Sequence, residues 1–226
     1  MVYLNEGPKI GVLMLDTSFK RPVGDIGNPE TFPFPLAYRV VKNAIPDSVV
    51  KRPDQSLVSY FARAAKELEE DGVKAITTSC GFLALFQKKI QADLSIPFFS
   101  SSLMQIPLVH AITGGETGVL TARKESLTDE HFKNINVHRT MIAVEGMDNM
   151  RAFTEAIITQ TAQLDEKAVT DELKQATSRL MSTNPDVRAI VLECTNMPPY
   201  KKIIKQTAGV PVFDINTLVS YVHASL

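Results

Sequence analysis

The stretch Val73-Lys74-Ala75-Ile76-Thr77-Thr78-Ser79-Cys80 returns later in the chain as Val187-Arg188-Ala189-Ile190-Val191-Leu192-Glu193-Cys194, with four of eight positions identical and Lys74 opposite Arg188. The offset, 194 − 80 = 114, is close to half of the 226 residues. It persists downstream, where Pro97 and Pro211 each lie 17 residues after their cysteine and Phe99 matches Phe213. Upstream, Gly11-Val12-Leu13 is similar to Gly118-Val119-Leu120 at an offset of 107, so the halves differ by 114 − 107 = 7 residues in length. This repeat predicts two similar lobes: residues 1–114 carrying Cys80 and residues 115–226 carrying Cys194, with the terminal helix a candidate to pack back on the first lobe.

Around the repeat the chain alternates short apolar runs with amphipathic segments. Lys9 to Leu15, ended by Asp16, is an apolar run that predicts a strand buried on both faces. Between Asp54 and Asp71, Leu57, Phe61, Ala64, Ala65 and Leu68 recur at helical spacing, with Asp54 placed to cap and Gly72 to terminate. Strands are expected at 73–78, 96–99, 117–122, 187–193 and 211–213, with an extended segment at 137–144. Helices are expected at 81–90, 125–134, 151–163, 166–182, 198–208 and 216–225. Strands separated by helices of this length imply an α/β fold in which each lobe has a mainly parallel sheet covered by helices, with the site in the cleft between lobes.

Composition excludes several classes of partner. With 24 basic against 25 acidic residues the net charge is −1, and no run of like charges offers a footprint for nucleic acid or an anionic membrane. No stretch approaches the roughly 20 apolar residues of a membrane span, and Met1 to Glu6 lacks the basic start of a leader. A cytoplasmic protein acting on a small molecule is expected, and self-association into a homo-oligomer stays open. Two cysteines are no disulfide framework, so each is either a small buried hydrophobe or a reactive group. The four histidines, His110, His131, His138 and His223, lack metal-ligand spacing, so no metal site is expected.

Between Asp16 and Leu36, Pro22, Pro29, Pro33 and Pro35 with Gly24 and Gly27 forbid regular structure. A connection of that length is expected to cover substrate.

Both cysteines share one address, between a strand and the helix that follows it. In open α/β sheets ligands bind outside the carboxyl ends of the strands. A helix N-terminus favours negative charge, so lowered thiol pKa values are expected. If a substrate carbon sits between the two sulfurs, one can remove its proton while the other delivers one to the opposite face.

The pair Thr77-Thr78-Ser79-Cys80-Gly81-Phe82 and Leu192-Glu193-Cys194-Thr195-Asn196-Met197-Pro198 resembles the aspartate/glutamate/hydantoin racemase superfamily over nearly the whole chain. The resemblance implies a cofactor-independent racemase or epimerase with Cys80 and Cys194 catalytic. It also implies that Ser79, Gly81, Phe82, Thr195 and Asn196 contact substrate beside them. Asp16 with Thr17 or Ser18 would contact a substrate amine or orient a thiol, and Thr121 holds the matching strand end in the second lobe. Glutamate-type members carry Cys-Asn-Thr and Cys-Thr-His where this chain has Cys80-Gly81-Phe82 and Cys194-Thr195-Asn196. The departures point away from glutamate and toward an amino acid or hydantoin-like substrate that is less polar.

Other readings stay open. Superfamily relatives that keep one or both cysteines include decarboxylases and cis-trans isomerases. A cysteine hydrolase centred on Cys80, with His223 and Asp214, lacks the glycine two residues before the nucleophile and leaves Cys194 unexplained. A thiol switch would need the sulfurs close enough to join, and catalysis needs them farther apart.

Overall fold

The computed structural model describes residues 9–140 and 142–226; the first six residues, read above for a leader, lie outside it. The chain opens with β1 (Ile10–Leu15), β2 (Leu36–Val41), α1 (Leu57–Glu70), β3 (Ala75–Thr78), α2 (Gln87–Gln91), β4 (Phe98–Phe99) and α3 (Ile106–Thr113). It continues with β5 (Glu116–Thr121), α4 (Asp129–Asn134), β6 (Ile142–Gly146), α5 (Arg151–Phe153), α6 (Glu166–Thr183), β7 (Val187–Leu192), α7 (Lys201–Ala208), β8 (Val212–Phe213) and α8 (Ile215–Ser225). Two sheets result, in the orders β2-β1-β3-β4 and β6-β5-β7-β8, and every strand pair is parallel. The strand orders match under the repeat, and the expected α/β class is what the chain forms.

Strands β1 and β3 are buried along their whole length, as an apolar run covered on both faces requires. The first strand of each sheet carries a glycine for one reason. A Cβ at Gly11 would lie 2.8 Å from Leu68 of α1, and one at Gly118 would lie 2.9 Å from Leu180 of α6. Omitting the side chain lets each helix seat a fully buried leucine on its sheet, a burial worth about 1.5–3 kcal/mol per residue.

The covering helices are exchanged between lobes. Helix α3 packs on β5 and β7 of the second sheet. Helix α8 sends Ile215 and Val219 into a cluster with Ile10, Val12, Met14, Ala75 and Phe99 of the first.

Several elements differ from expectation. Strand β2 and helix α3 fall where no element is expected from the sequence, and β2 is half-exposed. The segment expected as a helix over 81–90 begins as a 3₁₀ helix, Gly81–Phe86, before α2. The one expected over 151–163 is a single turn followed by a π-helix, Thr154–Ile158. A second π-helix, Asp47–Lys51, stands at the equivalent place in the first lobe, 154 − 47 = 107 residues earlier. Among the described residues no helix is long and apolar enough to cross a membrane.

Candidate active site

Cys80 follows the end of β3 and is held there by its neighbour. The Thr78 hydroxyl accepts from the Cys80 N–H at 3.3 Å and lies 2.8 Å from the Ser100 carbonyl. The chain is extended at Cys80, with φ −152°, and then turns into the 3₁₀ helix, so its sulfur stands at a helix start. Cys194 occupies the same place after β7. Both thiols are free, and their exposures are 8% and 7%.

The two strand ends are bonded to one another across the lobes. Thr195 donates its hydroxyl to the Ser79 carbonyl at 2.6 Å, and Ser102 donates to the Leu192 carbonyl. One cavity opens between them. Its walls include both cysteines together with Ser79, Gly81, Phe82, Thr195, Asn196 and Thr17, all expected from the sequence. Leu15, Phe19 and Ala122 add apolar surface, as do Val50 and Ile157, which come from the two π-helices at repeat-equivalent positions. π-Helical turns are common at functional sites, where the extra residue per turn re-aims side chains.

Three expected residues stand elsewhere. Asp16 is exposed and accepts from the Asn43 N–H at 3.1 Å, tying the end of β1 to the turn after β2. Ser18 faces outward, its N–H donating to Gln160 at 2.8 Å. Thr121 is buried behind the cavity and donates to the Glu193 carboxylate at 2.8 Å.

The proline-rich loop supplies residues that the motif reading did not name. Arg21 lines the cavity, donating to Asp25 and to the Thr17 hydroxyl, each at 2.8 Å, with its guanidinium 4.5 Å from the Phe19 ring centroid. Asp25 is fully buried and also accepts from Asn196 Nδ2 at 2.7 Å. Asn196 in turn accepts from the Cys194 thiol at 3.5 Å. A continuous network therefore runs from Cys194 through Asn196, Asp25 and Arg21 to Thr17. The loop covers the site as expected, with Ile26 and Phe32 seated in the cluster beneath α8.

Glu193 was also missed. It is fully buried, and its Oε2 accepts from Thr121 and, at 3.3 Å, from the Ala122 N–H. Burial pushes its carboxyl up to about 7, and those two bonds only partly oppose the rise. An acid embedded in the apolar run Val191-Leu192-Glu193 was the available signal.

The thiols depart from expectation in one respect. Both are held above their ordinary range, first by burial and then by the neighbouring Glu193 charge. The backbone N–H groups of Phe82 and Leu83 pull Cys80 down, as a helix start should, but desolvation outweighs them. A thiolate here needs a compensating positive charge.

No family model matches the chain. It is 30% identical over 216 residues to a dimethylsulfoniopropionate lyase of Durusdinium sp. clade D, the match covering 91% of this chain and 70% of that protein. The chain belongs to the dimethylsulfoniopropionate lyase family. Dimethylsulfoniopropionate lyase 3 of Emiliania huxleyi (strain CCMP1516) is likewise 30% identical, with 97% of this chain and 60% of that relative covered, so the chain spans well short of the full length of either relative. Among solved structures the fold is similar to allantoin racemase from Pseudomonas fluorescens, with TM-score 0.60, 17% identity and coverage of 96% and 90%. It is also similar to unliganded arylmalonate decarboxylase, with TM-score 0.58, 14% identity and coverage of 93% and 88%. These neighbours share the chain's fold, the one that its cysteine motifs implied. The lyase family is an enzyme family, and its name stands closer to the expected alternative, a decarboxylase or cis-trans isomerase, than to racemisation, though a carbon–sulfur lyase was not itself among the expected activities.

Proposed function

We propose that the protein is a carbon–sulfur lyase acting on dimethylsulfoniopropionate or a close β-sulfonio carboxylate. The observation that carries this reading is the match to relatives named for that activity, which spans the segment containing both cysteines.

The cavity's chemistry supports it. A β-sulfonio carboxylate has an acidic C–H beside its carboxylate and a good leaving group one carbon further on. A cysteine thiolate takes the α-proton, forming an S–H bond. The C–H electron pair becomes the second bond of a carbon–carbon double bond, and the Cβ–S bond breaks with its electrons going to sulfur. Dimethyl sulfide, acrylate and one proton result. Racemisation shares the first half of this sequence but needs a second acid to return the proton; a leaving group makes that acid dispensable. Two bonds occupy two of the five N–H donors of Arg21, leaving donors for the substrate carboxylate. Phe19, Val50, Phe82 and Ile157 offer apolar surface to the two methyl groups.

The test is direct. Purified protein incubated with dimethylsulfoniopropionate should release dimethyl sulfide and acrylate in equal amounts, read by gas chromatography and proton NMR. Release of neither, together with α-deuterium exchange into an amino acid or hydantoin in heavy water, would overturn the lyase in favour of the racemase.

A further inference from the structure

The role of Glu193 exceeds what its position requires. Under the repeat, Glu193 corresponds to Ser79 (193 − 79 = 114) and Ala122 to Leu15 (122 − 15 = 107). Both members of each pair do the same structural task. The Leu15 N–H donates to Ser79 Oγ at 2.9 Å, and the Ala122 N–H donates to Glu193 Oε2. In the first lobe a single hydroxyl meets that need. In the second the same address holds a carboxylate whose other oxygen, Oε1, has no hydrogen-bond partner although the residue is fully buried.

That spare oxygen lies where the residue after Cys80 would carry a side chain. A Cβ built on Gly81 would fall 2.4 Å from Glu193 Oε1 and 2.3 Å from the Glu193 carbonyl. Gly81 is thus the vacancy that lets this carboxylate reach the cavity, which both residues line. A buried carboxylate oxygen without a partner is costly, and a cationic ligand is the natural compensation.

We propose that Glu193 is the specificity-determining residue for the cationic end of a zwitterionic substrate, with Arg21 receiving the carboxylate at the opposite end. The inference deepens the lyase reading, because a dimethylsulfonium group is such a cation, but charge-selective binding can be measured without turnover. A substrate held between Arg21 and Glu193 presents its central carbons to the cysteines. Its positive charge also offsets the Glu193 field, the second cause after burial of the raised thiols, and so favours the thiolate. A neutral ligand of the same shape leaves that field in place.

The groups facing Glu193 are Cys80, Cys194, the Thr121 hydroxyl and the Ala122 N–H, and Arg21 lines the same cavity. Of the neighbours behind Phe82, His131 is neutral above about 4. Ionisation of Glu193 itself therefore governs charge selection near neutrality.

Two unreactive probes separate charge from shape: N,N-dimethyl-β-alanine, cationic at the tail, and 4-methylpentanoate, its uncharged isostere. Calorimetric titration of the wild type at pH 8 should favour the cationic probe by about tenfold or more, since an ion facing a buried carboxylate is screened weakly. Glu193→Gln keeps an oxygen for Thr121 and Ala122 and should reduce the preference to about twofold or less. Arg21→Gln should weaken both probes alike, since both carry a carboxylate. Should Glu193→Gln fail to fold, the wild type still decides the matter, because its preference should shrink as pH falls through about 7 and the carboxylate is neutralised. Equal affinity of the wild type for both probes overturns the proposal, as does a preference that survives Glu193→Gln or shows no fall with pH. Charge-selective binding without dimethyl sulfide release refutes the lyase reading alone, and sulfide release without charge selection refutes this inference alone.

Discussion

Thr195, the residue after one cysteine, donates its hydroxyl to the carbonyl of Ser79, the residue before the other, at 2.6 Å. This bond ties together the two strand ends that carry the thiols. Replacing Thr195 with Val leaves the Ser79 carbonyl without that donor, at a cost of about 1–3 kcal/mol. We expect a matching drop in urea-unfolding stability and a fall in kcat of about tenfold, with KM less affected.

The serine variants of the two cysteines should be unequal. Elimination needs one base, so one of Cys80→Ser and Cys194→Ser should lose about 100-fold or more in sulfide release, as removal of a general base does. The other should stay within about tenfold. Equal, near-complete loss in both would instead fit a two-base proton transfer, because a serine hydroxyl is far less acidic than a thiol.

Asp25 holds the covering loop to the second lobe through Asn196 and neutralises Arg21; its side chain is 1% exposed and that of Arg21 is 11% exposed. Asp25→Ala strands a buried guanidinium, and loss of one partner of such a pair costs about 3–5 kcal/mol. Thermal unfolding should show the loss, and KM should rise because Arg21 is no longer aimed.

Opening of the cavity should depend on a latch outside it. Gln160, in the left-handed region at φ 53°, accepts from the Ser18 backbone at 2.8 Å and joins the loop of one lobe to the segment after the π-helix of the other. Thr17, Phe19 and Arg21 of the loop wall the cavity, so the position of the loop governs access to the thiols. Gln160→Ala removes the bonds that its Oε1 accepts from the Ser18 N–H and hydroxyl, about 1 kcal/mol net, so labelling of the thiols by Ellman's reagent should accelerate by about fivefold.

Two buried groups tilt stability with pH in opposite directions. Burial lowers His131 from 6.5 to about 4, so the unfolded chain takes up its proton first and stability falls as pH drops from about 6.5 toward 4. Burial raises Glu193 from 4.5 to about 7, so its contribution is full below 4.5 and is lost as pH rises through 7. Glu193→Gln should therefore unfold at higher denaturant, relative to wild type, at pH 8 than at pH 5, and His131→Gln should flatten the acid side. Denaturant midpoints across pH 4–9 check both.

What the sequence disclosed follows a physical division. The cysteines were legible because each ends a buried apolar run, where register is fixed by the strand and not by tertiary accident. Phe82 and Asn196 came with them as near neighbours in the chain. Asp16 and Ser18 stand outside the cavity, while Thr17 between them lines it, because the loop after β1 turns by contacts distant in sequence: one Asp16 oxygen accepts from the Asn43 backbone, a partner that exists only once β2 has formed. Strand β2 escaped notice because its half-exposed edge position erases the continuous burial pattern. Glu193 was visible as an acid in an apolar run, yet its meaning depends on Gly81 of the other lobe. The thiols were expected to be acidic from their helix starts, a local effect; depth of burial, a global one, reverses the direction.

The exchange of α3 and α8 bears on how the molecule could be taken apart. Cleaved after Gly114, the first fragment would carry a cover of the second sheet and leave one face of its own sheet bare, and the second fragment would do the converse. Each piece would then be a half-shell whose matching lid is found only on the other. Mixed together, they should reassemble as a complementing pair, and separately each should aggregate through its bare sheet. The same mutual roofing should resist a clamshell motion of the lobes, which would have to peel α3 and α8 from the sheets that they cover.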